Sequence, residues 1–275
     1  MMKKLFSLPA ELWQSRRLIW KLAKNDFKNR YAGSYLGRVW AFTQPVVTVL
    51  LYWFVFGHIM MADKKEILTA GVEAPYVLWL TAGLVPWFYF NEALNNGTTS
   101  LMEYSYLVKK VVFKISIIPI VKLIAALFTH VFFVCFMLVL YFLYGYKPEI
   151  YLIQIVYYTF CMFMLVLALS YSTCAIVIFF RDLLQIINIA LQVGMWATPI
   201  LWNISMLGAN PVLQKILKCN PVFYIVNGYR NAMFGRMWFW EDMGATVGFW
   251  ALTAVLFVIG AHIFRRLKVH FADVL

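Results

Sequence analysis

Polar side chains recur at helical spacing within a stretch of this chain that is otherwise apolar. Gln185, Asn188 and Gln192 are three and four residues apart, and Trp196 continues the same face. Residues at this spacing lie on one side of an α-helix. An amide stripe inside a membrane helix either lines a wet path or joins helices through hydrogen bonds. The stripe is long for a single helix contact, so it favours a translocation path.

Aromatic side chains form a second group, well inside an apolar stretch nearer the N-terminus. Tyr52, Trp53 and Phe56 follow one another closely there. Aromatic rings in a channel would suit the apolar C–H faces of sugars, and we assign these three residues to the same path. Packing against lipid is the alternative for each ring, and the sequence leaves it open.

A third group is cationic and precedes the first apolar stretch. Arg17, Lys21, Lys24 and Lys28 recur at helical spacing, and the opposite side carries Ile19, Trp20, Ala23 and Phe27. This pattern is typical of a helix that lies in a membrane interface. The basic face could bind the phosphates of a lipid head group, or it could serve topology and nonspecific lipid attraction alone.

Arg30 and Arg38 lie just beyond that helix, beside a glycine elbow formed by Gly33 and Gly37. They join the basic face as candidate head-group residues. We also expect Glu92 and Lys122 to form a structural ion pair, since unpaired charges near a span end are costly. His130 is expected to join two helices by a hydrogen bond.

The motifs that are missing exclude several kinds of chemistry. The chain has no phosphate-binding GxxxxGK[ST] loop, no HExxH, no GxSxG and no DDxxD. Its four cysteines include no CxxC pair. We therefore predict no catalytic residue, no metal site and no cofactor in this chain.

Six apolar stretches must position the three groups of side chains. The 275-residue chain is 63% hydrophobic and 13% charged, more apolar than a soluble domain can bury. About 20 apolar residues span a bilayer as a helix. The predicted spans are Val39–Met61, Tyr76–Asn95, Lys122–Tyr144, Ile150–Ile178, Leu183–Leu201 and Thr246–Phe264.

The net charge of +12 is distributed unevenly about these spans. Seventeen of the 24 Lys and Arg residues fall on the side that holds both termini. The positive-inside rule then places both termini in the cytoplasm. The cations cluster at span ends, which argues for a membrane and against a nucleic-acid partner.

Two connections between the spans have structure of their own. Residues 98–119 should be cytoplasmic and carry a short helix with Tyr104, Tyr106, Lys109, Lys110 and Phe113. A solvated loop is the alternative there. Residues 203–242 should lie outside, where apolar pieces broken by Pro and Gly indicate re-entrant or interfacial helices.

The chain at this point resembles a known family. The segments that carry the resemblance are Asn29–Trp40, Gln44-Pro45, Tyr52–Gly57, Tyr76–Gly83 with Trp87-Phe88, Phe179–Leu183, Thr198–Trp202, Asn220–Val222 with Tyr229-Arg230, and Phe271–Leu275. Their order and spacing resemble the permease subunit of ABC-2-type polysaccharide exporters. The teichoic acid translocation branch is the most similar, and O-antigen and capsule export permeases are related.

This resemblance implies an all-α integral membrane protein with six transmembrane helices, an N-terminal amphipathic interfacial helix and re-entrant helices before the last span. Residues 1–38 would form the cytoplasmic gate helix and 39–275 the six-span domain. The connection 98–119 would be a coupling helix, with Tyr104, Tyr106, Lys109, Lys110 and Phe113 as its contacts to an ATPase.

The resemblance further implies a homodimer in the bacterial cell membrane, with two copies of a separate ATPase that binds ATP and Mg. Its substrate would be a glycan polymer on undecaprenyl diphosphate. Three alternatives remain: an ABC-2 exporter of small drugs or lipids, a membrane enzyme acting on polyprenyl-linked sugars, and a scaffold protein.

Overall fold

The computed structural model describes residues 14–30, 37, 39–59, 66–67, 73–109, 114–207 and 211–274. These residues are helical apart from short connections and one pair of two-residue strands. The strands, β1 (Glu66–Ile67) and β2 (Glu73–Ala74), pair antiparallel, with Glu66 opposite Ala74. The predicted all-α class is confirmed.

The helices follow the predicted spans closely. In chain order they are α1 (Arg16–Arg30), α2 (Val39–Tyr52), α3 (Tyr76–Glu103), α4 (Ser105–Val108), α5 (Ile118–Leu143), α6 (Gln154–Val177), α7 (Leu183–Ala197), α8 (Pro211–Lys218), α9 (Pro221–Arg230), α10 (Met243–Leu267) and α11 (Phe271–Val274). π-helical turns extend α2 through Trp53–Ile59 and α9 through Asn231–Gly235. Short 3₁₀ turns cover Ile115–Ile117, Ile150–Ile153, Ile204–Leu207 and Lys268–His270.

Four helical stretches among the described residues are long and apolar enough to cross a membrane. They are Val39–Phe56, Ile115–Leu143, Ile150–Val177 and Met243–His270, and α7 is a shorter apolar helix of 15 residues. The predicted second span lies within α3, which has 28 residues and ample length. The count of six spans stays a prediction.

Helix α3 is less apolar than α5 and α6, yet it forms the centre of the fold. It packs against α5, α6 and α9, while α10 packs along α6. Its large aromatic residues are buried because their polar atoms find partners: Tyr76 donates to the carbonyl of Leu201 at 3.0 Å, and Tyr89 to that of Leu123 at 3.3 Å. An aromatic helix surrounded by others needs little lipid-facing apolar surface.

Helix α1 has the predicted amphipathic character and packs on α5. Ile19 and Ala23 are buried, and the rings of Trp20 and Phe27 lie 5.4 and 5.5 Å from that of Phe128. Gly37 adopts a positive φ of 50° directly before α2, a conformation that glycine tolerates. This turn fits the expected elbow, whose other residues, Gly33 among them, lie outside the described part.

The two structured connections differ from their predicted limits. Residues 98–103 continue α3, so the connection predicted at 98–119 is shorter and begins at Tyr104. Its only helix among described residues is α4, and α5 then begins at Ile118 with Pro119 in its first turn. In the second connection, Asn220 caps α9 by accepting from the Val222 amide at 2.9 Å. Helix α9 packs against α3 and α6.

Candidate functional site

A cavity of about 640 Å³ opens between α2, α3 and α5. Arg30 of α1 lies at its edge, and Met195 of α7 contributes to its wall. This volume falls within the range of pockets that bind small molecules or single sugar units. Since α2 makes few contacts with the rest of the chain and only 11% of Val39–Phe56 is buried, the cavity has a loosely held wall.

The lining of the cavity combines polar groups, among them the ion pair of Arg30 and Glu92, with aromatic rings. The polar residues are Gln44, Thr48, Asn91, Glu92, Asn96, Thr129 and His130. The aromatic residues are Trp40, Tyr52, Trp87, Phe88, Tyr89 and Phe133. Amides both donate and accept hydrogen bonds, as sugar hydroxyls do, and rings cover apolar C–H faces. The amide nitrogen of Asn96 has no hydrogen-bond partner among the described residues.

A cluster of charged side chains lies beside the cavity and ties α1 to the bundle. Asp26 and Lys122 are both buried, with Lys122 Nζ 2.6 Å from Asp26 Oδ1. Lys122 Nζ is also 2.6 Å from Glu103 Oε2 at the end of α3. Tyr104 donates to Asp26 at 2.8 Å. One buried lysine thus joins α1, α3 and α5, and breaking such a pair is strongly destabilising.

Arg30 links this cluster to the cavity. Its guanidinium forms an ion pair with Glu92 and lies 3.6 Å from the carboxylate of Asp26. The expected pair of Glu92 with Lys122 is therefore wrong: Glu92 pairs with Arg30, while Lys122 pairs with Asp26 and Glu103. The packing of α1 on α5 brings Asp26 to Lys122, and spacing within the spans does not reveal that contact.

Tyr104 is kept as a hydrogen-bond donor by its surroundings. Burial and the nearby carboxylate of Asp26 raise the pKa of the Tyr104 hydroxyl well above its ordinary value. The hydroxyl therefore remains protonated at physiological pH. It lies in the connection between α3 and α5, so that connection and α1 share a polar contact.

Near the middle of α5, the polar contacts are neutral hydrogen bonds rather than ion pairs. His130 Nε2 lies 3.0 Å from Tyr229 Oη, and Tyr229 Oη lies 2.6 Å from Thr159 Oγ1. The helix-joining role predicted for His130 is confirmed, because this triad connects α5, α6 and α9. His130 also lines the cavity, so the triad fixes part of the cavity wall.

Arg230 at the end of α9 is buried and anchored by backbone carbonyls. It donates to Pro199 at 2.7 Å and Ile200 at 2.9 Å, and its guanidinium lies 3.4 Å from the centroid of the Trp79 ring. Gly83 makes room for it, since an added Cβ there would come within 2.8 Å of Arg230 Nη2. A sequence signal existed, because a lone arginine in an apolar helix requires strong partners.

The residues assigned to the translocation path occupy two different places. Tyr52 lines the cavity, whereas Trp53 and Phe56 lie in the following π-helical turn, outside the lining. The stripe on α7 faces away from the bundle and is exposed over its whole length: Gln185, Asn188, Gln192 and Trp196. The structure does not bring the stripe and the rings together within one chain.

The basic face and the coupling residues are exposed as far as they are described. Arg17, Lys21, Lys24 and Lys28 are all exposed on α1. In the connection after α3, Tyr106 and Lys109 are exposed, and Tyr104 is half-buried. Arg38, Lys110 and Phe113 lie outside the described residues.

Sequence reasoning missed most of the cavity lining. Asn91 and Asn96 lie in the C-terminal half of α3 and Gln44 near the start of α2, where polar residues look like ordinary span ends. A helical-face analysis of α3 alone would have placed Asn91 and Glu92 close to Asn95. Asn95 donates to Asn91 at 3.1 Å. The contribution of α5 through Thr129 depends on packing that the sequence does not show.

Comparisons with known proteins cover nearly the whole chain. The family described as ABC-2 type transporter matches residues 17–234. The chain is similar to the O-antigen export system permease protein RfbA of Myxococcus xanthus, with 26% identity over 97% of this chain and 98% of the relative. It is also similar to two proteins of the same name from Klebsiella pneumoniae, at 26% and 25% identity, each over 92% of this chain and 93% of the relative.

Proposed function

The chain belongs to the ABC-2 type transporter family, and from that premise we propose that it is the permease subunit of an ABC exporter of cell-surface polysaccharide. Three relatives that align over almost the full chain are O-antigen export permeases. The earlier resemblance to polysaccharide exporters is in line with these matches. ATP hydrolysis belongs to a separate ATPase subunit, with ATP and Mg bound there.

The cavity between α2, α3 and α5 carries this proposal. A pocket for an apolar drug or an acyl chain would need few hydrogen-bonding groups, whereas this one combines Gln44, Asn91 and Asn96 with several rings. That lining favours a hydroxyl-rich sugar over the alternative small drug or lipid. The absence of acidic metal-binding motifs from the sequence argues against a polyprenyl-sugar enzyme.

The substrate we propose is a glycan polymer linked to undecaprenyl diphosphate. The exposed basic face of α1 would attract the diphosphate, and Arg30 would meet it at the edge of the cavity. The first sugars would then lie against the amides and rings of the lining. O-antigen, capsule and teichoic acid chains are the candidate polymers, and the teichoic acid branch remains a prediction.

The proposed assembly is a homodimer with two ATPase copies in the bacterial inner membrane. An amide stripe exposed on α7 would be costly against lipid. In the homodimer, the α7 stripe of one chain would face that of the second chain across a water-filled path, so the amides would not contact lipid. The connection from Tyr104 to Ile117 supplies the ATPase contact, with Lys109 among its exposed cations. Six spans, cytoplasmic termini and a re-entrant α9 complete this arrangement.

Polysaccharide export by cavity variants tests the proposal. Gln44→Leu and Asn96→Leu keep side-chain volume but remove the amides, so we expect surface polysaccharide to fall about tenfold or more, since two lost polar contacts are worth over 1.4 kcal/mol. Thr43→Val is the matched control, because Thr43 lies on α2 outside the lining and bonds only the Val39 carbonyl at 2.9 Å. Normal export by both Leu variants, with the protein correctly inserted, would contradict the proposal.

A further inference from the structure

A set of aromatic rings lies at the end of the bundle opposite α1, where α6 and α10 begin. The rings of Trp238 and Trp240 stack with centroids 4.5 Å apart and planes within 8° of parallel. Tyr151 adds a third ring, 5.0 Å from that of Trp238. Trp240 is 48% exposed, so the set presents one open aromatic face. We call these three residues the aromatic platform.

Hydrogen bonds and ring stacking fix the turn that carries the platform. Buried Gln154 accepts from the Phe239 amide at 2.8 Å and donates to the Met237 carbonyl at 2.9 Å. The Phe239 ring stacks on Tyr157 at 4.1 Å. Glu241 accepts from the Trp238 amide at 2.8 Å and closes the turn. The exposed rings therefore lose little conformational freedom when a ligand binds, which favours recognition.

The charge beside the platform argues against an anionic ligand. Residues 237–243 contain Glu241 and Asp242 and no Lys or Arg, and both carboxylates are exposed. The nearest arginine before them, Arg236, is paired with Glu149 at 2.8 Å. An anionic lipid head group would be repelled by these two exposed carboxylates. A polymer rich in phosphate is repelled in the same way.

We propose that the aromatic platform is a second glycan-binding subsite, at the exit side of the transporter, for uncharged hydroxyl-rich sugar units. The rings take the C–H face of a sugar. One oxygen of Glu241 accepts from the Trp238 amide and one of Asp242 from the Ala245 amide, so the second oxygen of each carboxylate accepts from the sugar hydroxyls. This inference rests on the proposed export function and narrows its substrate. The exported segment that passes the platform carries sugars without phosphate groups.

Saturation-transfer NMR on the full-length chain in nanodiscs with phosphatidylglycerol tests the subsite directly. The probes are a linear oligomannose and an oligomer of glycerol phosphate. We expect transfer to the C–H protons of oligomannose alone. Trp240→Ser should weaken the saturation transfer to oligomannose about fivefold, the size expected for one lost stacked ring. Trp240→Phe should retain most of it, and Met206→Ser, an exposed residue outside the platform, should leave it unchanged.

Three results would overturn the proposal. The first is saturation transfer to oligomannose that is as strong in Trp240→Ser as in the unaltered chain. The others are equally strong transfer to the glycerol phosphate oligomer, and no transfer to either probe. Surface polysaccharide is measured in parallel in cells. If the subsite fails but export still depends on Gln44 and Asn96, the export function stands without the platform. If oligomannose binds at Trp240 but the chain supports no polysaccharide export, the proposed function fails and the binding site remains.

Discussion

The two ends of the helix bundle are held together by different chemistry. At the end that carries α1, Lys122 bridges two carboxylates and Arg30 pairs with Glu92. At the other end, Arg230 is held by the carbonyls of Pro199 and Ile200, and a neutral triad of His130, Thr159 and Tyr229 lies between the two ends. Ion pairs can exchange partners when another charge arrives, whereas carbonyls in a packed helix end have no alternative position. The first end can therefore respond to an arriving charge, whereas the second serves as a fixed frame.

The largest expected effect lies in the fixed frame. Arg230→Met leaves the carbonyls of Pro199 and Ile200 buried without donors and removes the contact with Trp79. We expect the free energy of unfolding in detergent to fall by about 4 kcal/mol, the range for breaking a buried charged contact. Guanidinium titration followed by tryptophan fluorescence measures it.

Arg236→Met is the matched control, because Arg236 is 64% exposed and pairs with Glu149 at the surface. Such pairs contribute little to stability. Similar destabilisation by the two substitutions would contradict the idea that the carbonyl-anchored arginine holds this end of the bundle.

The buried lysine should rank second. Lys122→Met leaves Asp26 and Glu103 without their shared partner, so we expect a loss of about 3 kcal/mol. Helix α1 should detach first, because it depends on that bridge, and trypsin should then cut sooner at the exposed Lys24 and Lys28. Lys122→Arg keeps the charge and should protect α1, while Lys109→Met changes an exposed lysine and should have no effect. Unchanged trypsin resistance in Lys122→Met would show that ring packing on Phe128 holds α1 by itself.

The half-buried pair at the cavity edge should have a smaller effect on stability and a distinct one on function. Glu92→Gln removes the negative partner of Arg30 and should cost about 1 kcal/mol of folding free energy. The same change frees Arg30 for an anion, so half-maximal stimulation of ATPase activity by lipid diphosphate should occur at a lower substrate concentration. Arg30→Gln should raise the substrate concentration at which stimulation is half-maximal. Shifts in the same direction for both variants would mean that the pair is only structural.

The contrast between the two ends also explains what the sequence could predict. The amphipathic pattern of α1 and the helix-joining role of His130 follow from spacing and from the cost of polar groups in a membrane. The partners of Glu92 and Lys122 do not, because they depend on how α1 docks against α5. The sequence does not predict the cavity for the same reason. Gln44, Asn96 and Thr129 belong to three different helices, and no pattern within any one of these helices distinguishes them.

The smallest effect on stability is expected on the exposed basic face, where the effect on function should be large. Changing Arg17, Lys21, Lys24 and Lys28 to Gln removes no buried contact, so the free energy of unfolding should stay within about 0.5 kcal/mol. Each cation near an anionic surface contributes about 1 kcal/mol of attraction, so capture of the diphosphate head group should weaken more than tenfold if the contributions add.

Polysaccharide export and substrate-stimulated ATPase activity should then fall together, while basal ATPase activity persists. Membrane orientation is checked by labelling, since other cations before the first span must still set the topology. Arg266→Gln with Lys268→Gln removes exposed cations elsewhere on the predicted cytoplasmic side and should leave export normal. Normal export by the fourfold variant would instead assign recognition to Arg30, whose ion pair with Glu92 would then be the first contact that an arriving diphosphate must displace.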